Sequence, residues 1–558
     1  MIKQCWFFLV FLILSSPLAH SKEDVLASLK RLPIQEGGRI KPLDTFARES
    51  LALIYGKETY EHKPAIEVMM TWALEPQIWE TKEFVEIRYN LVKKALHFEE
   101  TQNYFTLKKI LGNDRLSYVL QELQSKRESK AKLDPYFQAL QRLEGQMGVF
   151  QSIASGDLLH LVPPDKSETS PSAPWWGPSR WTPEQREAFG QVNRSFVKFL
   201  LALSPNKNIS EDELRQLKEN MDKSVTQFSA LARANNLEKY PDYSRIDMEL
   251  TYTEWHPFQK AWILYLCSVL MIICLWIFKW KKFYFLSWLF ASAGLVAHLA
   301  GFILRIYLTG RPPVSNMYET VIWVSFGAMV FAMAIESIYR WRFILLAGAL
   351  VSAFCLILSD NAPVILDPTL QPLEAVLNSQ FWLTTHVLTI TISYAAFFLA
   401  FALGDFGLYF YFKGESEQDP KLRAITLSIY RAMQIGVALL APGIILGGVW
   451  ADYSWGRFWG WDPKETWALI ALLGYVAVLH ARMAGLLKGF GLVASAVVTF
   501  SLVIMAWYGV NFILGAGLHS YGFGAGGVEY VAGFVGLHLV AVIFIAVLHQ
   551  SRQKMRKH

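Results

Sequence analysis

Residues 455–467, WGRFWGWDPKETW, place four tryptophans, a phenylalanine and an Asp-Pro-Lys-Glu box in thirteen positions. Asp462, Pro463 and Glu465 suit the N-cap, N1 and N3 positions of a helix, a capping box with an acidic first turn. Trp455, Trp459, Trp461 and Trp467 admit two readings. An interfacial aromatic belt accounts for one or two tryptophans. Four of them, with Gly456 and Gly460 in between, instead leave an open aromatic surface. Such a surface suits a large planar apolar ligand with polar edges, and Arg457 or Lys464 could meet carboxylates at its rim. A porphyrin has that shape and those groups.

Iron in a porphyrin takes imidazole ligands, so the twelve histidines matter. His386 and His519 each read alone as polar loop residues. His480 lies inside an apolar run, where an ionisable residue is a functional candidate. Its bland alternative is a histidine packed against a neighbouring helix or near an interface. The four cysteines sit in apolar segments and offer no disulfide or zinc framework. No phosphate loop, serine triad or repeat is present, and nothing points to nucleic acid.

The elements that must position these residues are membrane helices. Hydrophobic residues make up 53% and charged residues 18% of the 558-residue chain, with the apolar content concentrated after Lys260. Nine runs approach the ~20 residues a helix needs to cross a bilayer: 260–279, 283–308, 318–337, 342–358, 386–412, 429–449, 466–485, 491–514 and 530–549. Before them, residues 1–21 have the pattern of a signal peptide or N-terminal anchor. Residues 22–258 are polar and predict a mainly helical extracytoplasmic domain, with amphipathic stretches at 82–99, 185–204 and 211–235. The Pro/Ser-rich run 163–185 reads as a linker between two halves, and its PWWGPSRW as a docking contact. The fold class expected is all-α, a polytopic inner-membrane bundle of about nine spans preceded by that domain.

Charge orients the bundle. With the polar domain outside, Lys279, Lys281, Lys282, Arg340, Arg342, Lys413, Lys421, Arg423, Arg431, Arg482, Lys488, Arg552, Lys554, Arg556 and Lys557 fall inside. Only Arg305, Arg311, Arg457 and Lys464 fall outside after the first span, the expected positive-inside bias. The C-terminus is then cytoplasmic. RPPVSNMYE (311–319), the loop before His386, the tryptophan stretch and GLHSYG (517–522) share the outer, periplasmic face. Two neutral imidazoles on that face, His386 and His519, can ligate one haem iron from opposite sides. His480, 14 residues from Thr466, lies about 21 Å deeper.

WGRFWGWDPKETWALI strongly resembles the WWD domain of haem-handling proteins, and its DPKE ending resembles the CcsA/ResC type of cytochrome c synthase. The resemblance covers about 260–550, including RPPVSNMYE and GLHSYG, so the membrane domain 259–558 is CcsA-like with its WWD motif at 455–467. LPIQEGGRIKPLDTFARE (32–49) resembles, more weakly, the segment that precedes the CcsA portion in some fused synthases. The resemblance implies that His386 and His519 are the external haem ligands and His480 an intramembrane one. It also implies a CcsB/ResB-like partner that supplies the second intramembrane ligand, since no ResB-like half is evident here. His298 and His538 then read as makers of interhelical hydrogen bonds, the competing possibility being His298 as the second ligand.

The function expected is delivery of haem b across the membrane and its attachment to the Cys-x-x-Cys-His segment of apocytochrome c. The cofactor-binding residues are His386, His519, His480, Trp455, Trp459, Trp461, Asp462, Arg457 and Lys464, with the three histidines on the metal and no catalytic acid or base. The alternatives are a haem exporter that hands haem to a separate ligase, and an assembly subunit that binds none.

Overall fold

The computed structural model of the chain describes residues 23–129, 133–168, 170, 173–203, 209–362, 365–372, 379–514 and 527–555. The proposed signal segment and His519 lie outside them. One compact unit ends at Trp255 and another begins at His256.

The first unit is mainly helical and holds three small antiparallel hairpins. Pro33–Glu36 pairs with Arg39–Pro42 across Gly37 and Gly38, both with positive φ, the backbone a two-residue hairpin turn requires. The helices Pro183–Ala202 and Glu211–Asn235 match the predicted amphipathic stretches. Thr182 and Gln185 form a capping box on the first, and Ser210 caps the second. The stretch 82–99 is not one helix. Glu83–Glu86 is a strand paired with Tyr104–Thr106, and a helix follows only at Asn90–Ala95. The β-branched and aromatic FVEIRY segment finds a pairing partner, and pairing overrides its weaker helical period.

The Pro-rich run is also not a linker between separate halves. Trp175 and Trp181 are each 3% exposed within a single core that includes Leu29, Phe84, Phe196 and Phe228. The Trp181 Nε1–H donates to the Trp176 carbonyl at 2.7 Å, and the Trp175 N–H to Gln35 Oε1 at 2.6 Å. These rings pack inward, so they are not free for docking.

The second unit holds, among the described residues, nine helices long and apolar enough to cross a membrane. Their regular α-helical parts are α1 Pro257–Phe278, α2 Lys281–Thr309, α3 Met317–Tyr339, α4 Phe343–Asn361, α5 Leu388–Lys413, α6 Pro420–Trp455, α7 Pro463–Met483, α8 Gly489–Ile504 and α9 Val528–Met555. The chain is therefore an all-α, multi-pass membrane protein with a mainly helical N-terminal region. α1 packs on α2 and α4, α3 on α4, and α5 on α6 and α8. Phe397 stacks on Tyr475 at 3.7 Å between α5 and α7 in the core.

Two features depart from plain spans. α6 begins at Pro420, nine residues before the predicted 429, because Asp419 caps it by accepting from the Lys421 N–H at 2.7 Å. Residues 383–387 and 505–514 are wound as π-helix, extending α5 backwards and α8 forwards.

Candidate functional site

His386 sits on the π-helical turn that leads into α5. Such turns recur at functional sites because the extra residue re-aims a side chain. Its Nδ1 stands 2.8 Å from the carbonyl of Gly443 on α6. A carbonyl can only accept, so Nδ1 carries the proton and Nε2 the lone pair. The ring lies flat against α6 only because position 447 has no side chain. A Cβ on Gly447 would meet His386 Cε1 at 2.5 Å and Nδ1 at 3.0 Å. Trp450, one turn on, meets the imidazole edge to face at 5.8 Å.

The tryptophan stretch is a rigid loop. α6 closes at Gly456, whose N–H donates to Asp452 O at 2.8 Å. α7 opens with the predicted capping box on Asp462 and Glu465. Glu465 Oε2 also accepts from the Gly460 N–H at 2.8 Å, which fastens the middle of the loop. Arg457 folds back across Gly460, where any Cβ would fall inside its guanidinium. Trp459 and Trp461 meet edge to face at 5.9 Å.

These pieces enclose a cavity of about 150 Å³ lined by His386, Trp450, Trp459, Lys464, Trp507 and Asn511, with Val314–Met317 at the start of α3 as a further wall. Lys464 lines the cavity rather than its rim, and its Nζ lies 3.4 Å from Asn511 Oδ1. Asn511 is set by the π-helical end of α8, its Nδ2 donating to Trp507 O at 2.7 Å. Trp507 Nε1 is buried without a hydrogen-bond partner among the described residues.

The α3 wall is held by buried charge. Glu319 accepts from Arg305 Nε at 2.8 Å and Arg311 Nη1 at 3.3 Å, and both Arg305 and Glu319 are 0% exposed. The two arginines also donate to the carbonyls of Pro368 and Gln371, tying in the segment that leads towards His386. Burial holds the Arg311 guanidinium below its ordinary value, with Glu319 pulling the other way.

Of the residues expected at the site, His386, Trp459 and Lys464 come together around the cavity. Asp462 is buried as the helix cap beside it. Trp455 ends α6 and Arg457 sits on the loop, their groups 6.0 Å apart, and Trp461 is 70% exposed. His480 lies elsewhere, on the exposed face of α7 with Ile470, Leu473 and Ala477. Its Nδ1 is 2.8 Å from the Val476 carbonyl of its own helix. His298 is a closed core residue with Nδ1 3.3 Å from Tyr265 Oη and Nε2 3.1 Å from Ile322 O. His538 bridges α9 to Asp405 on α5. Trp450, Trp507 and Asn511 escaped the sequence reading. Asn511, a lone amide in an apolar run, was the detectable signal.

A multi-pass bundle with an imidazole, a lysine and tryptophans around one cavity near a helix start narrows the class, and comparison with known proteins settles it. A family model described as "Cytochrome C assembly protein" matches residues 314–519, which contain every lining residue of the cavity. The cytochrome c biogenesis protein CcsA of Prochlorococcus marinus (strain NATL1A) is 34% identical over 257 residues, covering 39% of this chain and 79% of that protein. CcsA of Guillardia theta is 34% identical over 239 residues, 38% of this chain and 78% of its own length. Protein NrfI of Wolinella succinogenes is 27% identical over 512 residues, 87% of this chain. The chain spans about half of NrfI, 53% of its length. The chain belongs to the CcsA-type cytochrome c biogenesis proteins.

Proposed function

We propose that the cavity holds haem b as the substrate of cytochrome c maturation, and that the chain delivers haem and takes part in its attachment to apocytochrome c. The observation that carries this reading is the setting of His386. A metal-binding imidazole usually donates its other N–H to a carbonyl or carboxylate, which fixes ring and tautomer. The Gly443 carbonyl does this for His386. His519, outside the described residues, is the second imidazole that this reading assigns to the haem iron.

At about 150 Å³ the cavity takes an edge of a porphyrin, since drug-sized ligands occupy ~300–1,000 Å³. Lys464 Nζ and Trp507 Nε1 select the propionate edge, because a buried cation and an indole donor suit carboxylates. The vinyl edge then points out over the loop, where Phe458 and Trp461 are exposed. That is the edge apocytochrome must reach. Each cysteine thiol of Cys-x-x-Cys-His adds across one vinyl: sulfur bonds to the carbon next to the ring, and hydrogen ends on the terminal carbon. The addition is redox-neutral and needs no general base from this chain. Fixing both reactants can supply ~7–11 kcal/mol of the barrier.

The cavity, the loop and the N-terminal unit lie on the periplasmic side of the bacterial inner membrane, as the Lys and Arg distribution supports. His480 binds haem within the membrane together with a CcsB/ResB-like partner. Its outward position on α7 supports this, as does the full engagement of both His298 nitrogens inside the bundle. Co-expression of the chain with such a partner and an apocytochrome, scoring covalent haem, is the test. Haem bound but never attached in that system would reduce the role to delivery.

A further inference from the structure

Two short turns of the membrane unit repeat one sequence pattern. FKWKKF (278–283) joins α1 to α2, and YRWRF (339–343) joins α3 to α4. Each sets a tryptophan between cations and flanks them with aromatic rings. Each also closes its helix in the same way. Lys279 and Arg340 stand where α1 and α3 end, at φ 58° and 53°, and their N–H groups donate to the Leu275 and Glu336 carbonyls at 2.9 and 2.8 Å. That left-handed position is where helices prefer glycine. α2, α5 and α6 have one there: Gly310, Gly414 and Gly456. Arg342 is left-handed as well, at φ 66°. Three cations thus hold strained backbone that glycine would relieve, and such strain clusters at ligand clamps.

The two turns are neighbours. Tyr284, in the first turn of α2, donates its hydroxyl to Glu336 near the end of α3, and the Arg342 N–H donates to the same carboxylate oxygen at 2.7 Å. The Arg342 guanidinium stands 5.9 Å from the centre of the Tyr284 ring. Trp276 of α1 meets Phe343 of α4 at 5.2 Å. Lys279, Lys281, Lys282, Arg340 and Arg342 are all exposed, and none forms an ion pair among the described residues. Glu336 itself is fully buried. Trp280, 66% exposed, stacks on Phe283, and Trp341 stacks on Tyr339 at 4.6 Å. The α5–α6 turn differs, its Lys413, Lys421 and Arg423 being interspersed with Glu415, Glu417 and Asp419. A general excess of cations on one membrane face asks for neither the strain, the tryptophans nor the lack of exposed acids.

We propose that the paired turns bind the headgroup of an anionic phospholipid, with Arg340 and Arg342 of one turn and Lys279, Lys281 and Lys282 of the other around its phosphate. Basic pockets between transmembrane helices take such headgroups. Guanidinium groups match phosphate oxygens with paired hydrogen bonds. Trp280 and Trp341 lie at headgroup depth, where indole rings settle. The acyl chains run down the outer face of α1, where Ile273 and Ile277 are exposed. The site shares no residue with the His386 cavity and stands or falls apart from the haem reading.

The test titrates the full chain in detergent with dioctanoyl phosphatidylglycerol, and native mass spectrometry counts the lipid retained. Saturable binding is expected, with dioctanoyl phosphatidylcholine held at least about tenfold more weakly because its choline cancels the charge. Arg340→Gln/Arg342→Gln should weaken phosphatidylglycerol binding at least about tenfold, at roughly fivefold per cation lost. Lys421→Gln/Arg423→Gln removes as many cations from the α5–α6 turn and should change nothing. Arg340→Gly separates the site from the fold. It relaxes the left-handed residue, so the thermal midpoint should hold or rise while lipid affinity falls about fivefold. Excess inorganic phosphate should leave the lipid bound; displacement by phosphate marks a free-anion site and overturns the proposal. Equal binding of the two lipids, equal losses in the two double variants, or unchanged affinity in Arg340→Gly would overturn it too.

Discussion

Gly447→Ala probes the outer site without removing any proposed ligand. The new Cβ would stand 2.5 Å from His386 Cε1 and 3.2 Å from Nε2, far inside van der Waals contact. α6 backbone cannot yield easily, so the imidazole must swing and its bond to Gly443 lengthens or breaks. Overpacking typically costs ~1–3 kcal/mol and a lost hydrogen bond ~0.5–1.5 kcal/mol. Disturbing the group that orients a metal-binding histidine typically lowers affinity ~10–100-fold. Haem content of the purified chain, measured against protein, reads the effect. Gly536→Ala is the control, because a Cβ there meets nothing within 4 Å. Imidazole in the medium should restore function to His386→Ala, which leaves a void, but not to Gly447→Ala, where the ring still blocks the site. Wild-type haem content in Gly447→Ala would refute the placement of His386 as a ligand held by α6.

Three other outcomes follow from the same geometry. Lys464→Met should weaken binding of protoporphyrin haem by about 1.5–3 kcal/mol yet leave its dimethyl ester nearly unaffected; equal losses would place the propionates elsewhere. Arg305→Ala leaves Glu319 buried beside a single arginine and should cost ~3–5 kcal/mol, seen as a lower thermal midpoint. Glu319→Gln should recover part of that loss in the double variant. Reporter fusions after residues 281, 341, 418 and 488 should read cytoplasm, and those near 313, 370, 457 and 520 the outer side; one inverted pair would break the shared face of His386 and Trp459.

What could be read in advance follows from local physics. The apolar runs announce the nine helices because hydrocarbon imposes length and composition on each span separately. The capping box at 462–465 is likewise local and was readable residue by residue. The π-helical turns at 383–387 and 505–514 were not, since an extra residue per turn is stabilised by what packs around it. They are what bring His386 and Asn511 to the cavity. The start of α6 was missed because Lys421 and Arg423 interrupt the apolar pattern while leaving the helix intact. In the N-terminal unit, strand pairing at 83–86 and the burial of Trp175 and Trp181 depend on partners distant in the chain. The Gly37–Gly38 hairpin is the exception that turn chemistry announces.

The most direct test of the outer site is the near-infrared and Soret spectrum of haem on the purified chain, for His386→Ala and His519→Ala, with and without imidazole. The account predicts bis-histidine haem in the unaltered chain. Each single variant should lose that signature, and added imidazole should return it. A bis-histidine spectrum unchanged in His386→Ala without imidazole would contradict it.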